Sequence, residues 1–552
     1  MVSIKYTLVK AFILLCCLGF SQQKSDTVAL NEVNITDYRI KKSDENFSQT
    51  KTDSTSQSAF LTSSMAQMLL QQNGCLVKAY GPGNIASLGI RGSTAQQTAV
   101  VWNGMNINNP MLGQADISLL PVGFFSSMSL QKGALSGYWG SGAMAGVLNL
   151  QSSPQQTTGL TVQASTSYSS LQNSSQWLSI NFSGSRLSSS TKVFADFSQN
   201  KYLYYKNTDT SLIKQTQQHA RANQLAIMQD FAYKLKANQQ LGLHFWIQDA
   251  NRNIPYTTSA LQQDANQKDR IFRSMLDWKV SKQKAIINTK LAFFNEGIIY
   301  NNKTDAIYSN NNFKTFAVDV DAQYQMSKGF AISGGTSNML TLANSPDFVT
   351  QKHLLKNALF ENISWNSRNN FFVVNVYARE EVFNSTTFVP TEGFTTTLNI
   401  FKWLAWKTNA GTVYRYPTLN DLYWNPGGNP LLKPENGHSE ETSLQVKHQL
   451  KQFSIAFMGT IFSRDIHNNI MWLPGSNGNW SPVNILQVWS RGVETNTEIT
   501  YKNNRFKTSL KVLTNYILST SLPAAEKSKY LQMPYVPMYS GSAILFVEYK
   551  NW

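Results

Sequence analysis

From Ser153 onward, short segments in which apolar and polar residues alternate run along the rest of the chain, separated by polar loops. Alternation with a period of two predicts β-strands that each have one apolar face. The positions between the apolar residues are mostly Ser, Thr, Asn, Gln and Gly, where a soluble β-sandwich would carry charged residues. The pattern therefore favours a membrane barrel with an apolar outer wall and a water-lined lumen. It occurs in segments 160–164, 178–182, 241–247, 372–376 and 453–461.

Residues 59–152 have a different texture, with frequent glycine, tight turns and short apolar runs. Apolar residues recur at helical spacing over residues 60–71, and Gln72-Asn73-Gly74 is a stop signal, so we expect a helix there. The apolar runs at residues 99–102 and 147–150 are expected to be buried strands. We interpret the segment as a small mixed α/β domain that precedes the barrel.

The start of the chain has the three regions of a secretion signal. Lys5 and Lys10 precede an apolar run from Ala11 to Phe20, which is followed by Ser21. This order predicts a cleaved signal peptide at residues 1–21 rather than a buried helix at the start of a soluble protein. No run of about 18 or more apolar residues occurs, which argues against a helical membrane protein.

Residues 22–58 are rich in Ser, Thr, Asn, Lys and Asp. Such a segment cannot bury a core, so we expect a flexible tail. Within it, the side chains from Leu30 to Thr36 alternate between apolar and polar. This is typical of a strand that adds itself to the edge of a partner's sheet.

Composition supports a barrel and argues against several other classes of protein. Charged residues are only 14% of the chain, against about 25% in a typical soluble protein. Loss of the signal peptide would leave Cys75 as the single cysteine, which excludes an internal disulfide and a cysteine metal site. The six histidines are dispersed without metal-ligand spacing or a nucleophile motif, so we expect no enzyme, no metal and no cofactor.

The formal net charge of +16 is spread along the chain, and no basic cluster is longer than residues 39–42. Nucleic-acid binding would need a clustered basic patch. Scattered basic residues suit contact with anionic lipopolysaccharide or an acidic ligand instead.

Between residues 74 and 150, a series of motifs resembles the plug domain of the TonB-dependent receptors and follows that family's order. A strand and turn at residues 100–108 has Asn-Gly where the family usually has Asp-Gly, and Asn also tolerates the positive φ of a tight hairpin turn. The last motif spans residues 138–150. The plug-motif residues assigned on this resemblance are Ile90, Arg91, Gly92, Asn103, Gly104, Lys132, Gly133, Gly140, Gly142 and Gly146.

Three features of these motifs need interpretation. The glycines of the last motif do not have the spacing of a dinucleotide-binding loop, and we expect them to let plug strands pack closely against each other and the wall. The resemblance implies that Arg91 ties the plug to carboxylates of the wall, rather than being a solvated turn arginine. Residues 125–130 lack the Glu and Arg pair that the family often has, so we expect some plug-to-wall ion pairs to be absent or moved.

Segments outside the plug resemble the same receptors. The tail strand resembles the family's TonB box and lies where the family keeps it, before the plug. Residues 416–435 and 491–494 resemble an extracellular loop and a strand. Together with residues 108–113 of the plug, these stretches look most like the vitamin B12 receptor branch. The residues assigned to the TonB box are Leu30, Glu32, Val33, Asn34, Ile35 and Thr36.

The resemblance implies an all-β transmembrane barrel of about 22 antiparallel strands when complete, with an N-terminal mixed α/β plug in its lumen. We expect the following order along the chain: a signal peptide at 1–21, a flexible tail at 22–58 with the TonB box near 30–36, the plug at 59–152 and the barrel at 153–552.

The implied function is active uptake of a scarce, large nutrient across the outer membrane of a Gram-negative bacterium, without catalysis. Cobalamin or another corrinoid is the expected cargo; a ferric siderophore is the alternative, ahead of a passive porin or an outer-membrane enzyme. The implied partners are TonB with its inner-membrane motor proteins, the ligand, outer-membrane lipid and lipopolysaccharide, and a surface lipoprotein is a further candidate. The candidate ligand-binding residues are Trp102, Asn106, Asn108, Tyr423 and Trp424.

The C-terminal residues favour a barrel that continues past this sequence. Residues 153–552 are few for 22 strands, and residues 533–537 resemble a motif that normally precedes further strands. Glu548 and Lys550 would share a lipid-facing side with Trp552, where each charge costs up to a few kcal/mol. We therefore expect a truncated, open barrel with an unpaired edge near each end of its sheet.

Replacing Val33 or Ile35 by Pro should abolish uptake and leave ligand binding intact. Proline removes a backbone donor that strand pairing with TonB would use. Uptake and binding of labelled ligand by whole cells measure the two effects separately. Wild-type uptake after both changes would remove residues 30–36 from the mechanism.

Overall fold

The computed structural model describes residues 48–52, 57–72, 75–79, 81, 83–155, 157–208, 211–255, 264–475, 479–522 and 531–549. The predicted signal peptide, the TonB-box segment, Lys550 and Trp552 lie outside the described residues. None of the helices in the described part is long and apolar enough to span a bilayer.

The N-terminal part of the described chain is a mixed α/β plug. Its elements are β1 (Ser48–Lys51), α1 (Met65–Gln72), β2 (Leu76–Ala79), β3 (Ala86–Gly89), β4 (Thr98–Trp102), β5 (Met105–Asn106), β6 (Ser127–Lys132), α2 (Ser136–Trp139) and β7 (Gly146–Gln151). Five strands form one sheet in the order β1-β6-β7-β4-β5, and β2 and β3 form a separate hairpin. The pair β4–β7 is parallel, and the other pairs in this sheet are antiparallel.

The plug sheet begins earlier in the chain than expected. The expected tail ended at residue 58, but β1 pairs with β6 in register, with Ser48 opposite Lys132. The plug sheet thus includes four residues that the sequence assigned to the tail. The side chains of Ser48 and Thr50 are polar yet buried, so no apolar pattern marked the strand.

The expected helix at residues 60–71 is present but starts later, at Met65. The backbone N–H of Gln67 donates to Ser64 Oγ (3.4 Å), and the Gln67 side chain accepts from the backbone N–H of Ser64 (3.0 Å). This reciprocal arrangement is a capping box, which fixes the first turn at Ser64.

The rest of the chain forms the barrel wall. Its strands and one loop hairpin are β8 (Gly159–Ser169), β9 (Asn173–Ser183), β10 (Leu187–Ser198), β11 (Leu203–Thr208), β12 (Ser211–Thr216), β13 (Ala222–Lys236), β14 (Gln239–Ile254), β15 (Ala265–Ser281), β16 (Ala285–Asn302), β17 (Ile307–Ser327), β18 (Phe330–Asn344), β19 (Lys352–Asn366), β20 (Phe372–Phe383), β21 (Thr387–Phe401), β22 (Leu404–Arg415), β23 (Glu435–Leu450), β24 (Phe453–Pro474), β25 (Trp480–Lys502), β26 (Phe506–Leu522), β27 (Leu531–Gln532) and β28 (Tyr539–Tyr549). The β11–β12 hairpin is separate from the wall sheet. A short helix, α3 (Leu419–Tyr423), lies in the loop between β22 and β23.

Alternating burial along the wall strands confirms the barrel. On β13, Leu225 and Ile227 are 52% and 42% exposed, whereas Ala226 and Met228 between and after them are buried. The exposed apolar face is the lipid-facing one, and the other face meets the plug or the lumen. Short turns such as residues 237–238 lie at one end of the barrel and long loops such as 416–434 at the other. In outer-membrane barrels these are the periplasmic and extracellular ends.

The wall sheet contains nineteen strands in the described part of the chain, and its strand order closes, with β28 followed by β8. The expectation of an open barrel is therefore wrong. The expectation that Glu548 faces lipid is wrong as well. Leu545 and Val547 point outward, each 63% exposed, so Glu548 lies on the opposite, lumen-facing side of the strand.

The largest apolar cluster joins the plug to the wall. Trp246 of β14 is fully buried and makes edge-on ring contacts with Trp102, Phe124 and Phe125 of the plug, at centroid distances of 5.6, 6.1 and 5.8 Å. Buried aromatic groups of this size dominate the packing energy of a core. The plug is therefore an integral part of the folded barrel.

Replacing Trp246 by Ala should destabilise the folded protein by about 3–5 kcal/mol, because a large buried ring is lost and a cavity remains. The shift of the folded band on an unheated gel, measured against temperature, reports this loss. Trp278→Ala is the control, since Trp278 is 43% exposed on the lipid-facing side of β15. Equal melting of the two variants would contradict the assigned core.

Candidate functional site

The loop that follows the β4–β5 hairpin, at residues 107–113, is the first of three segments that meet at the extracellular side of the plug, and the turn of the hairpin itself lies on the periplasmic side. Asn103 and Gly104 adopt φ values of +46° and +90°, the conformation that a tight hairpin turn requires. The loop that follows β5 is braced by Asn108, whose side chain accepts from the backbone N–H of Val100 (2.8 Å) and donates to the carbonyl of Gly113 (2.9 Å). Asn108, a candidate ligand residue, thus holds the loop in shape.

The second segment is the last plug motif, which lies against the wall. Gly140 has φ +83°, and a Cβ there would collide with the carboxylate of Glu381. Ser141 Oγ accepts from the backbone N–H of Tyr416 (2.9 Å), and the backbone N–H of Gly142 donates to the carbonyl of Tyr414 (3.2 Å). The glycines therefore permit the close approach to the wall that was expected of them.

The third segment is the loop between β22 and β23. Its helix α3 starts at a capping box in which Thr418 and Asp421 exchange hydrogen bonds. The first helical N–H groups, of Leu419 and Asn420, donate to the carbonyls of Pro110 (3.3 Å) and Met111 (3.2 Å) in the plug. This extracellular loop is thereby bonded directly to the plug apex.

A cavity of about 100 Å³ lies between these segments and the wall. Its apolar lining includes Phe383 and Tyr416, whose rings stack with centroids 4.2 Å apart and an angle of 1° between their planes. Asn106 supplies an amide, and both basic side chains in the lining already face carboxylates: Lys356 faces Glu381 at 4.0 Å, and Arg415 pairs with Glu435 (2.9 Å) and Asp421 (3.3 Å). We refer to this space as the outer cavity.

The structure separates the candidate ligand residues. Asn106 and Asn108 line the outer cavity. Trp102 is fully buried in the plug–wall core and donates to Ser152 Oγ (3.0 Å), so in this conformation it is out of reach of a ligand. Tyr423 is half-buried against Phe348 (6.4 Å between ring centroids), and Trp424 is half-buried beside it; neither lines the outer cavity.

On the opposite side of the plug, Arg91 is inserted between two carboxylates of the wall. Its guanidinium pairs with Glu441 at 2.6 Å and Glu494 at 2.9 Å, and Lys132 pairs with Glu494 at 3.2 Å. Burial alone would lower the pKa of Arg91, but the two carboxylates outweigh burial and raise it. The plug therefore carries the kind of tie that was favoured over a solvated arginine, and we call these four residues the plug anchor.

Close packing surrounds the plug anchor. Gly92 (φ +74°) and Gly133 (φ +108°) leave no room for a Cβ, which would lie 2.7 Å from Ser519 and from Asn409 respectively. Ile90 is buried and fills the space above Gly146. Residues 125–130 lack the Glu and Arg pair that the family often has. Lys132, just after them, still forms an ion pair with Glu494 of the wall.

The sequence identified the plug side of these contacts but not the wall side. Glu381, Glu441 and Glu494 were not singled out. The available signal was weak: each is a carboxylate at a lumen-facing position of a strand, and several other acidic residues share that description. Which of them faces the plug depends on strand register, which a single sequence does not reveal.

Comparison with known proteins gives consistent matches over most of the chain. Residues 125–552 match the family model "TonB dependent receptor-like, beta-barrel", and residues 41–147 match the "TonB-dependent Receptor Plug Domain". A vitamin B12 transporter BtuB from Photobacterium profundum is 24% identical over 466 residues, which cover 79% of this chain and 70% of that protein. BtuB from Vibrio vulnificus is 23% identical over 437 residues, covering 75% of this chain and 66% of that protein.

Solved structures share the fold at low identity. The FrpB iron transporter from Neisseria meningitidis has a TM-score of 0.74 at 11% identity, covering 92% of this chain and 85% of its own. The copper transporter OprC has a TM-score of 0.70 at 14% identity, covering 88% and 80%. Likeness at this level of identity is evidence about the fold alone.

Replacing Arg91 by Ala should release the plug from the wall. The change leaves Glu441 and Glu494 buried without their guanidinium partner, although Lys132 still pairs with Glu494, at a cost of about 3–5 kcal/mol. Denaturant unfolding and limited proteolysis of the plug in the purified protein measure this.

The control for that experiment is Arg270→Ala. Arg270 is 64% exposed and pairs with Asp249 on the surface, where an ion pair contributes at most about 1 kcal/mol. A plug that stays equally resistant to protease in both variants would rule out the plug anchor as its main tie.

Proposed function

Since this chain belongs to the TonB-dependent receptors, a family of Gram-negative outer-membrane proteins, we propose that it actively takes up a corrinoid, with cobalamin as the expected cargo. The observation that carries the proposal is the outer cavity. It lies where an external ligand can contact both plug apices and the loop between β22 and β23 at once.

The lining of the outer cavity supports a large, neutral ligand with amide groups. The stacked pair of Phe383 and Tyr416 offers an apolar face, and Asn106 offers a donor and an acceptor. Ligand sites of this kind combine mostly apolar walls with a few placed polar groups. A corrin has an extended apolar face and peripheral amides, and the two curated relatives carry the name of vitamin B12 transporters.

A ferric siderophore is the second candidate, because receptors for siderophores and iron share this fold. An anionic ferric complex would favour a site with basic groups available to it. Lys356 and Arg415 in the outer cavity already face carboxylates. This lining therefore favours the corrinoid over the siderophore.

Uptake would proceed in three steps. The ligand binds in the outer cavity; TonB, driven by its inner-membrane motor proteins, pairs with residues 30–36; and the pull on this segment rearranges the plug. The plug anchor determines which part of the plug resists that pull. A surface lipoprotein that covers the extracellular loops and lipopolysaccharide around the wall complete the proposed partners.

Cyanocobalamin should bind the purified protein saturably, and Phe383→Ala and Tyr416→Ala should each weaken binding by about tenfold, because each change removes one ring of the stacked pair. Equilibrium binding of radiolabelled cyanocobalamin measures the affinity. Phe388→Ala is the control, since Phe388 is 57% exposed and does not line the outer cavity. Saturable binding of a ferric siderophore, without binding of cyanocobalamin, would replace the first candidate by the second.

A further inference from the structure

The plug is bonded directly to the wall on both sides of β16. Along β20 to β26, the backbone N–H of Ala134 donates to Asn409 (2.8 Å), and Tyr377 donates to the carbonyl of Ala134 (2.8 Å). On β14, Trp246 packs on the plug and Arg252 pairs with Asp116 (2.7 Å). Between these contacts, three cavities border β16. A local movement of the plug is therefore easiest to accommodate beside β16.

The first two of these cavities adjoin each other. Below the outer cavity lies a middle cavity of about 30 Å³. Both are lined by Asn106, Phe294, Met339 and Lys356. The shared lining makes them two parts of one space that narrows towards the periplasm.

The third, inner cavity has a volume of about 70 Å³ and lies on the periplasmic side of the plug. Lys290 of β16 lines it, and Lys290 is in register with Asp319 of β17, which lines the middle cavity. Adjacent strands of a sheet lie about 5 Å apart, so the middle and inner cavities follow one another along the same stretch of wall.

The turn of the β4–β5 hairpin separates the middle and inner cavities. Gly104 lines the middle cavity and Asn103 lines the inner one. Lys290 Nζ donates to the carbonyl of Asn103 (2.7 Å), and the Asn103 side chain lies 3.5 Å from His244 Nδ1. His244 is itself fixed between Asp230 (2.6 Å) and Asp277 (2.8 Å).

The hairpin lies at the edge of the plug sheet. β5 is two residues long and pairs, in the described part of the chain, only with β4. Within the plug, the turn is also bonded to the end of β7: the backbone N–H of Asn103 donates to the carbonyl of Leu150 (2.9 Å), and the Asn103 side chain accepts from the backbone N–H of Ser152 (2.8 Å). Elements at the edge of a sheet open at lower free energy than its centre, and opening here would break these bonds together with the bond from Lys290. The Arg91 and Lys132 contacts lie at a different part of the plug and can persist while the hairpin shifts.

We propose that cargo passes along β16 to β18 through the outer, middle and inner cavities, and that the Asn103-Gly104 turn, held by Lys290, is the gate. This inference rests on the proposed uptake function. A further cavity, of about 20 Å³ near Ser48, shares no lining residue with the three and does not extend the passage.

Planar bilayers containing the purified full-length chain in KCl solution test the gate, with K⁺ and Cl⁻ as the probe. Lys290→Ala should produce stepwise ion current, whereas the unaltered protein should not conduct. Lys192→Ala is the matched control: Lys192 is also a buried wall lysine that donates to a plug carbonyl, that of Phe124 (2.6 Å), but it lines none of the three cavities. Current in both variants, or in neither while both remain heat-modifiable barrels, would overturn the proposal.

A second measurement locates the path of the current. In a Cys75→Ser, Lys290→Ala background, a cationic methanethiosulfonate reagent should block the current through Ser337→Cys, because Ser337 lines the middle cavity. The reagent should leave the current through Ser490→Cys unchanged, since Ser490 is a buried residue of β25 outside the three cavities. Equal block, or block at residue 490 alone, would place the passage elsewhere. Neither measurement uses TonB or a corrinoid, so the gate and the proposed cargo are tested independently.

Discussion

The ion pairs of Arg91 with Glu441 and Glu494 determine how the plug sits in the barrel. Both carboxylates are more than 340 residues away in sequence, at separations of 350 and 403, so the contact forms only when strands β23 and β25 are in register. Burying three charges is costly unless they are paired. The anchor therefore fixes one side of the plug to one side of the wall.

The consequences extend to the extracellular surface. Because the plug lies against β20 to β26, its last motif bonds to the start of the loop between β22 and β23, and the helix α3 in that loop bonds to the other apex. The outer cavity is bounded by all three segments. A ligand that fills the outer cavity therefore contacts the plug and a loop that are already bonded to each other. Ligand binding can then be coupled to the conformation of the plug.

Much of the fold was readable from the sequence, because a period of two and the plug motifs are local signals. The strand β1 was not, since its buried residues Ser48 and Thr50 are polar and meet a polar lumen. For the contacts between plug and wall, the sequence predicted only the residues that the plug contributes. Trp102 was taken for a ligand residue because aromatic exposure cannot be told from sequence, and the wall carboxylates depend on register between strands far apart in the chain.

A structure of the purified protein determined with cyanocobalamin tests the central claim most directly. The account predicts that the corrin lies in the outer cavity, with its face against Phe383 and Tyr416 and an amide near Asn106, while Arg91 remains paired with Glu441 and Glu494. A corrin bound only to the outer loops, away from the plug, or a site that stays empty at saturating cyanocobalamin, would contradict it.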